Sequence, residues 1–288
     1  MRWRDGRQSS NLEDGGSGGG LRLGGGRLGI GGVAVVVVIS LLLGKNPLEM
    51  LGLVEQVTGG GALSQTASAP SAQNQQNHEF VAAILGETED VWGAIFQARN
   101  AVYEQPKLVL FSGGVQTACG GASSASGPFY CPGDRKVYLD TSFFDEMRAT
   151  LGGGGDFAEA YVIAHEVGHH VQTLTGVSAK VNAARQAGQD VKGDNGLLVR
   201  QELQADCYAG LWAYQAQQRH QWLEPGDIEE AMHTATAIGD DRLQKQSQGE
   251  VVPDAFTHGT SAQRVRWFKI GFEQGDVGAC DTFAVRNL

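Results

Sequence analysis

One short run constrains this chain more than any other feature. His165-Glu166-Val167-Gly168-His169 lies in a stretch, Ala158 to Val171, where every residue but Glu159 and the run's own groups is uncharged. With Asp156 as a cap and Gly176 as a stop, that stretch predicts a helix over about residues 157–174. A helix this poor in charge has to be covered on most sides by other elements. Two imidazoles at i and i+4 then project from one face, a turn apart, close enough to share a metal ion. The glutamate between them sits beside that ion. Zinc lowers the pKa of a bound water to about 7, and a neighbouring carboxylate can accept the proton.

Two histidines do not complete a site. The extended pattern H-E-x-x-H-x-x-G-x-x-H is not followed, because Gln172 and Thr175 occupy its next two positions. A third ligand must come from a later segment, and Glu202 is the candidate. On the helix predicted over 196–219, Leu198, Val199, Glu202, Ala205, Asp206, Ala209 and Ala213 share one face. Two carboxylates in a stripe of apolar and small residues are costly unless both have partners. A zinc ion for Glu202 and the free N–H of a zinc-bound histidine for Asp206 would supply them.

The N-terminal part reads differently. Leu28–Leu43 carries no charge, and Ser40 is its one polar side chain. At 1.5 Å per residue it reaches about 24 Å, and Arg27 and Lys45 could snorkel to close the gap to a ~30 Å hydrocarbon core. No small-x-small cleavage site follows until Thr66–Ala69, so an uncleaved anchor is expected rather than a signal peptide. Five arginines precede the run, which predicts a cytoplasmic N-terminus and a single pass through the cell membrane. The expected organisation is a basic Gly-rich tail at 1–27, an anchor at 28–44 and a flexible linker at 45–77. A folded domain at 78–288 would then be periplasmic or extracellular. The tail holds five Arg and three acids, so the net charge of −10 leaves −12 on the remainder. An acidic body excludes nucleic acid as a partner.

All four cysteines, Cys119, Cys131, Cys207 and Cys280, lie beyond the expected span, where disulfides persist. Three pairings are possible. Cys119–Cys131 with Cys207–Cys280 is favoured, since the first closes a Gly/Ser loop with little else to order it; free buried thiols are the alternative. Helical spacing predicts elements over 78–104, ended by Pro106, and over 178–188, 226–245 and 261–273. The last carries a capping box, Thr260 with Gln263. KLVLF at 107–111 and KVYLD at 136–140 read as strands, the latter as a possible sheet edge for an extended peptide. The fold expected is α+β, mainly helical with a small sheet, preceded by a single transmembrane helix.

HEVGHHVQ followed by ELQADCYAG, with the loop CGGASSASGPFYCPGDRKVYLD and the start MRWRDGRQSSNLED, resembles the bacterial neutral zinc metallopeptidase family (YpfJ-type). It is also similar to the gluzincin zincins, whose second motif is E-x-x-x-D. The resemblance covers essentially the whole chain apart from the linker. It implies a zincin-like peptidase domain with Zn2+ as cofactor and peptides or proteins as substrates. It implies His165, His169 and Glu202 as zinc ligands, Glu166 as general base and Asp206 as the acid that orients a ligand. His258 occupies a position similar to the late gluzincin donor to the oxyanion. His170, on another face, is expected to be structural. The rival reading is an anchored binding or scaffold protein with a non-catalytic zinc site. A structural site fills four positions with protein ligands, and three are visible here.

Overall fold

A computed structural model describes residues 1–17, 72–140, 142–150 and 155–288. One four-stranded sheet organises them. β1 (Leu12–Ser17) runs parallel to β2 (Lys107–Ser112), β2 runs parallel to β6 (Lys136–Asp140), and β5 (Phe129–Cys131) closes the end antiparallel to β6. The strand order is thus β1-β2-β6-β5. β2 is buried on both faces, as a parallel strand should be. Leu108 and Leu110 join the main helical core, whereas Val109 and Phe111 pack with Cys131 and Tyr138 on the opposite side. A separate hairpin, β3 (Gly114–Thr117) with β4 (Gly120–Ser123), lies in the loop between β2 and β5. KVYLD is therefore an interior strand. The edge expected there belongs to β5, whose three residues are too few to show a pattern.

Eight helices carry the rest of the described fold: α1 (Ala72–Ala98), α2 (Phe143–Thr150), α3 (Asp156–Leu174), α4 (Val177–Gln186), α5 (Leu197–His220), α6 (Asp227–Ala237), α7 (Asp240–Gln248) and α8 (Ser261–Gln274). α1 starts earlier than expected, inside the stretch read as linker. It stops before Pro106 because Asn100 takes the left-handed conformation (φ 55°) that ends helices. The single helix expected over 226–245 is broken into α6 and α7 at Gly239. A Cβ there would lie 2.4 Å from the Ser261 backbone nitrogen, so the chain bends where the two segments meet. Thr260 and Gln263 form the expected capping box of α8. The N-cap of α3 is Gly155, while Asp156 is the first helical residue.

Helix-to-helix spacing is set by glycine. A Cβ on Gly210 of α5 would stand 2.0 Å from the Phe268 carbonyl oxygen, and one on Gly271 of α8 would stand 1.9 Å from that of Cys207. The two backbones thus approach too closely for any side chain at either position. Gly168 of α3 plays the same part against Ala205 of α5, at 3.2 Å. Two disulfides, Cys119–Cys131 and Cys207–Cys280, tie the hairpin loop to β5 and the C-terminal tail to α5.

The N-terminal residues overturn the membrane topology. Residues 1–17 and 72–288 form one compact unit. Leu12, Glu13 and Asp14 pair with Leu108, Val109 and Leu110 in the sheet, the Ser9 backbone N–H donates to the Ala82 carbonyl, and Trp3 is buried against Phe80. A single crossing between residues 17 and 72 would put these partners on opposite sides of a bilayer, where they could not hydrogen-bond. Among the described residues no helix is long and apolar enough to cross a membrane, and the span expected at 28–44 lies outside them. The single transmembrane helix, the membrane partner and the single-pass location with a cytoplasmic N-terminus are accordingly withdrawn.

Candidate metal centre

α3 presents its histidines and α5 its carboxylates across the Gly168–Ala205 approach. His165 and Glu166 are buried, and His169 and Glu202 are nearly so. The two imidazole rings stand perpendicular with centroids 4.8 Å apart. Nε2 of His165 lies 3.2 Å from Oε2 of Glu202, and Nε2 of His169 lies 3.5 Å from the same oxygen. One donor atom from each of the three residues lies within 4.8 Å of the others, an arrangement that could hold a metal ion. Donors at about 2.1 Å from a tetrahedral zinc would sit roughly 3.4 Å from one another, close to the two histidine–Glu202 separations.

The second nitrogen of each ring is also engaged, as metal-ligating histidines require. Nδ1 of His165 lies 2.8 Å from Oδ1 of Asp206, and Nδ1 of His169 lies 2.9 Å from Oε1 of Gln172. Asp206 is fully buried. It also accepts from the Tyr161 hydroxyl at 2.6 Å and from Nε and Nη2 of Arg264 at 2.9 Å each. Burial alone would raise its pKa, but the Arg264 guanidinium and His165 outweigh that and hold it at about 2. Asp206 is thus a fixed anion. Arg264 reaches it because α8 lies flush on α5 through the Gly210–Gly271 approach.

Electrostatics separate the two carboxylates of the site. Burial pushes Glu202 up, yet the adjacent His169 and His165 hold it well below the usual carboxylate range. Glu166 is raised, with burial as the largest cause and the two histidines acting against it. One carboxylate is kept anionic beside the imidazoles, and burial raises the proton affinity of the other.

His258 lies in the loop before α8 with its imidazole half exposed. Its Nδ1 is 3.2 Å from Oδ1 of Asp240, and the backbone N–H groups of Thr257, His258 and Gly259 all donate to Oδ2 of that carboxylate. The Asp240 hydrogen bond raises the His258 pKa against the opposing cost of partial desolvation, and the charge of Glu202 adds to it. The loop packs on the first turns of α5, where a Cβ on Gly259 would touch Val199 and Leu203. His170 is buried away from the ligands, its Nε2 2.6 Å from the Glu104 carbonyl oxygen and its Nδ1 3.1 Å from the Tyr130 hydroxyl.

Reading the sequence alone misses Tyr161, Gln172, Gln204, Asp240 and Arg264. Of these, Arg264 had a signal. A carboxylate buried as deeply as Asp206 needs a cation, and a basic residue in the last capped helix was available to supply one.

The chain is 49% identical over 290 residues to the uncharacterized protein YpfJ of Escherichia coli K12, covering 98% of this chain and 99% of that protein. It is 42% identical over 264 residues to the uncharacterized protein Mb2605 of Mycobacterium bovis, covering 86% of each. No solved structure gives a significant match. The sequence model of one family, described as "Putative neutral zinc metallopeptidase", matches residues 1–283, and the chain belongs to that family.

Proposed function

We propose that this chain hydrolyses peptide bonds at a zinc ion held by His165, His169 and Glu202. The observation that carries the reading is the convergence of three donor atoms within 4.8 Å, with Nδ1 of both imidazoles already engaged elsewhere. Bound there, zinc would supply Lewis acidity toward a water and a substrate carbonyl. Glu166, with its proton affinity raised by burial, takes the proton of the attacking water and returns it to the departing amine. His258, whose protonated form Asp240 favours, donates a hydrogen bond to the oxyanion that develops on the carbonyl. Asp206, fixed by Arg264 and Tyr161, keeps His165 turned with Nε2 toward Glu202. A structural zinc site takes four protein ligands, whereas the cluster found among the described residues has three, which favours catalysis over a scaffold role. The two disulfides favour an oxidising compartment outside the cytoplasm.

Glu166→Gln tests the assignment. The substituted chain should hold as much zinc as wild type and lose peptide cleavage by at least about two orders of magnitude. Undiminished, chelator-sensitive cleavage by that variant would refute the role of Glu166.

A further inference from the structure

Gln172, the residue that breaks the extended histidine pattern, is buried and takes part in a chain of side-chain amides leading away from the metal site. Its Nε2 donates to the Gln201 carbonyl oxygen at 2.7 Å and to Oε1 of Gln204 at 3.1 Å. Gln204, also buried, donates from Nε2 to the Cys280 carbonyl oxygen at 3.1 Å. Both ends of this chain are unambiguous, because a backbone carbonyl can only accept. The Cys280 carbonyl therefore fixes which way the Gln204 amide faces, and with it the oxygen offered to Gln172. The Gln201 carbonyl fixes Gln172 in the same sense. Reversing Gln172 would set its oxygen against two other oxygens in a buried place, leaving the two side-chain oxygens without donors. Oε1 of Gln172 is thus left pointing at Nδ1 of His169, 2.9 Å away, and an acceptor there requires that Nδ1 carry a proton. The lone pair of the ring then resides on Nε2, the nitrogen that faces Glu202 at 3.5 Å.

We infer that Gln172 and Gln204 are positioning residues which lock His169 in its Nδ1–H form, with Nε2 presented to the metal. The inference rests on the zinc reading above and deepens it. The two ligand histidines are held by opposite means, His165 by a buried anion and His169 by a neutral amide relay. The relay ends on the C-terminal tail, whose place is set by the Cys207–Cys280 bridge to α5.

The test combines nitrogen-15 spectra of the zinc-loaded full chain with zinc affinity measured by chelator competition. In wild type, His169 should show a protonated, slowly exchanging Nδ1 and a metal-bound Nε2. Gln172→Met removes the acceptor and should raise the zinc dissociation constant roughly 10–100-fold while speeding exchange of the Nδ1 proton. Gln172→Glu keeps an acceptor for Nδ1 but turns its second oxygen onto the Gln201 and Gln204 oxygens, so slow Nδ1 exchange should return while the affinity recovers only in part. Gln204→Leu should give a smaller loss in the same direction. Metal on Nδ1 of His169 in wild type would overturn the inference without any variant being needed. So would wild-type affinity and unchanged exchange in folded Gln172→Met. A wild-type chain that takes up no zinc would instead overturn the metallopeptidase reading itself, and the relay's role with it.

Discussion

Asp240 and Asp206 do comparable work, each a buried or nearly buried carboxylate that holds one imidazole. Asp240 accepts three backbone N–H groups on Oδ2 and leaves Oδ1 for His258. Because that contact raises the His258 pKa, the donor stays protonated to higher pH than a free imidazole would. Activity that needs the protonated ring is present below the raised value and is lost as pH climbs through it. Asp240→Asn removes the charge, so the alkaline limb of the kcat/KM profile should move to lower pH, read by initial rates on a peptide substrate. Each pH unit the limb moves corresponds to about 1.4 kcal/mol of lost interaction with the protonated ring. An unmoved limb would detach His258 from the reaction. The core of the site was legible from residue chemistry, since a charge-poor helix with two histidines and a later stripe with two carboxylates leave few alternatives. Asp240, Gln172 and Gln204 were not legible, because a polar side chain in a loop or helix does not announce which distant atom it meets.

Elements meet at glycines, and there the packing can be tested by adding a single methyl group. On Gly271 the new Cβ would fall 1.9 Å from the Cys207 carbonyl, so α5 and α8 would have to separate. Gly271→Ala should cost about 1–3 kcal/mol or more in urea unfolding and weaken zinc binding, since Arg264 would be drawn off Asp206. Gly93→Ala in α1 is the control. Its Cβ meets nothing within 4 Å, so the variant should gain roughly 0.5–1 kcal/mol from helix propensity. A neutral result at Gly271 would mean that the helices are less closely packed than described. Periodicity located most helices, because each must bury a stripe. It could not place the break at Gly239, where tertiary contact decides, nor reveal β5, whose three residues carry no alternation.

For the protein as one body, the least expected feature is that the first residues complete the fold. LEDGGS has no alternation and a single apolar residue, Leu12, and it becomes a strand only because β2 offers a free parallel edge. Its neighbour Trp3 sits edge-on to Phe80 with centroids 5.2 Å apart and donates from Nε1 to Asp156 at 2.8 Å, tying the N-terminal segment to the helix that carries the histidines. Trp3→Ala should cost about 3–5 kcal/mol and lower Tm by roughly 6–20 °C. If Tm were unchanged in calorimetry, the segment would not belong to the folded unit. The decisive measurement is metal analysis of the purified chain after zinc reconstitution and dialysis. Wild type should retain one zinc per chain, and Glu202→Ala should lose it while keeping its helical circular dichroism. A zinc-free wild type, or a Glu202→Ala chain that holds zinc as tightly as wild type, would contradict a metal centre built from α3 and α5.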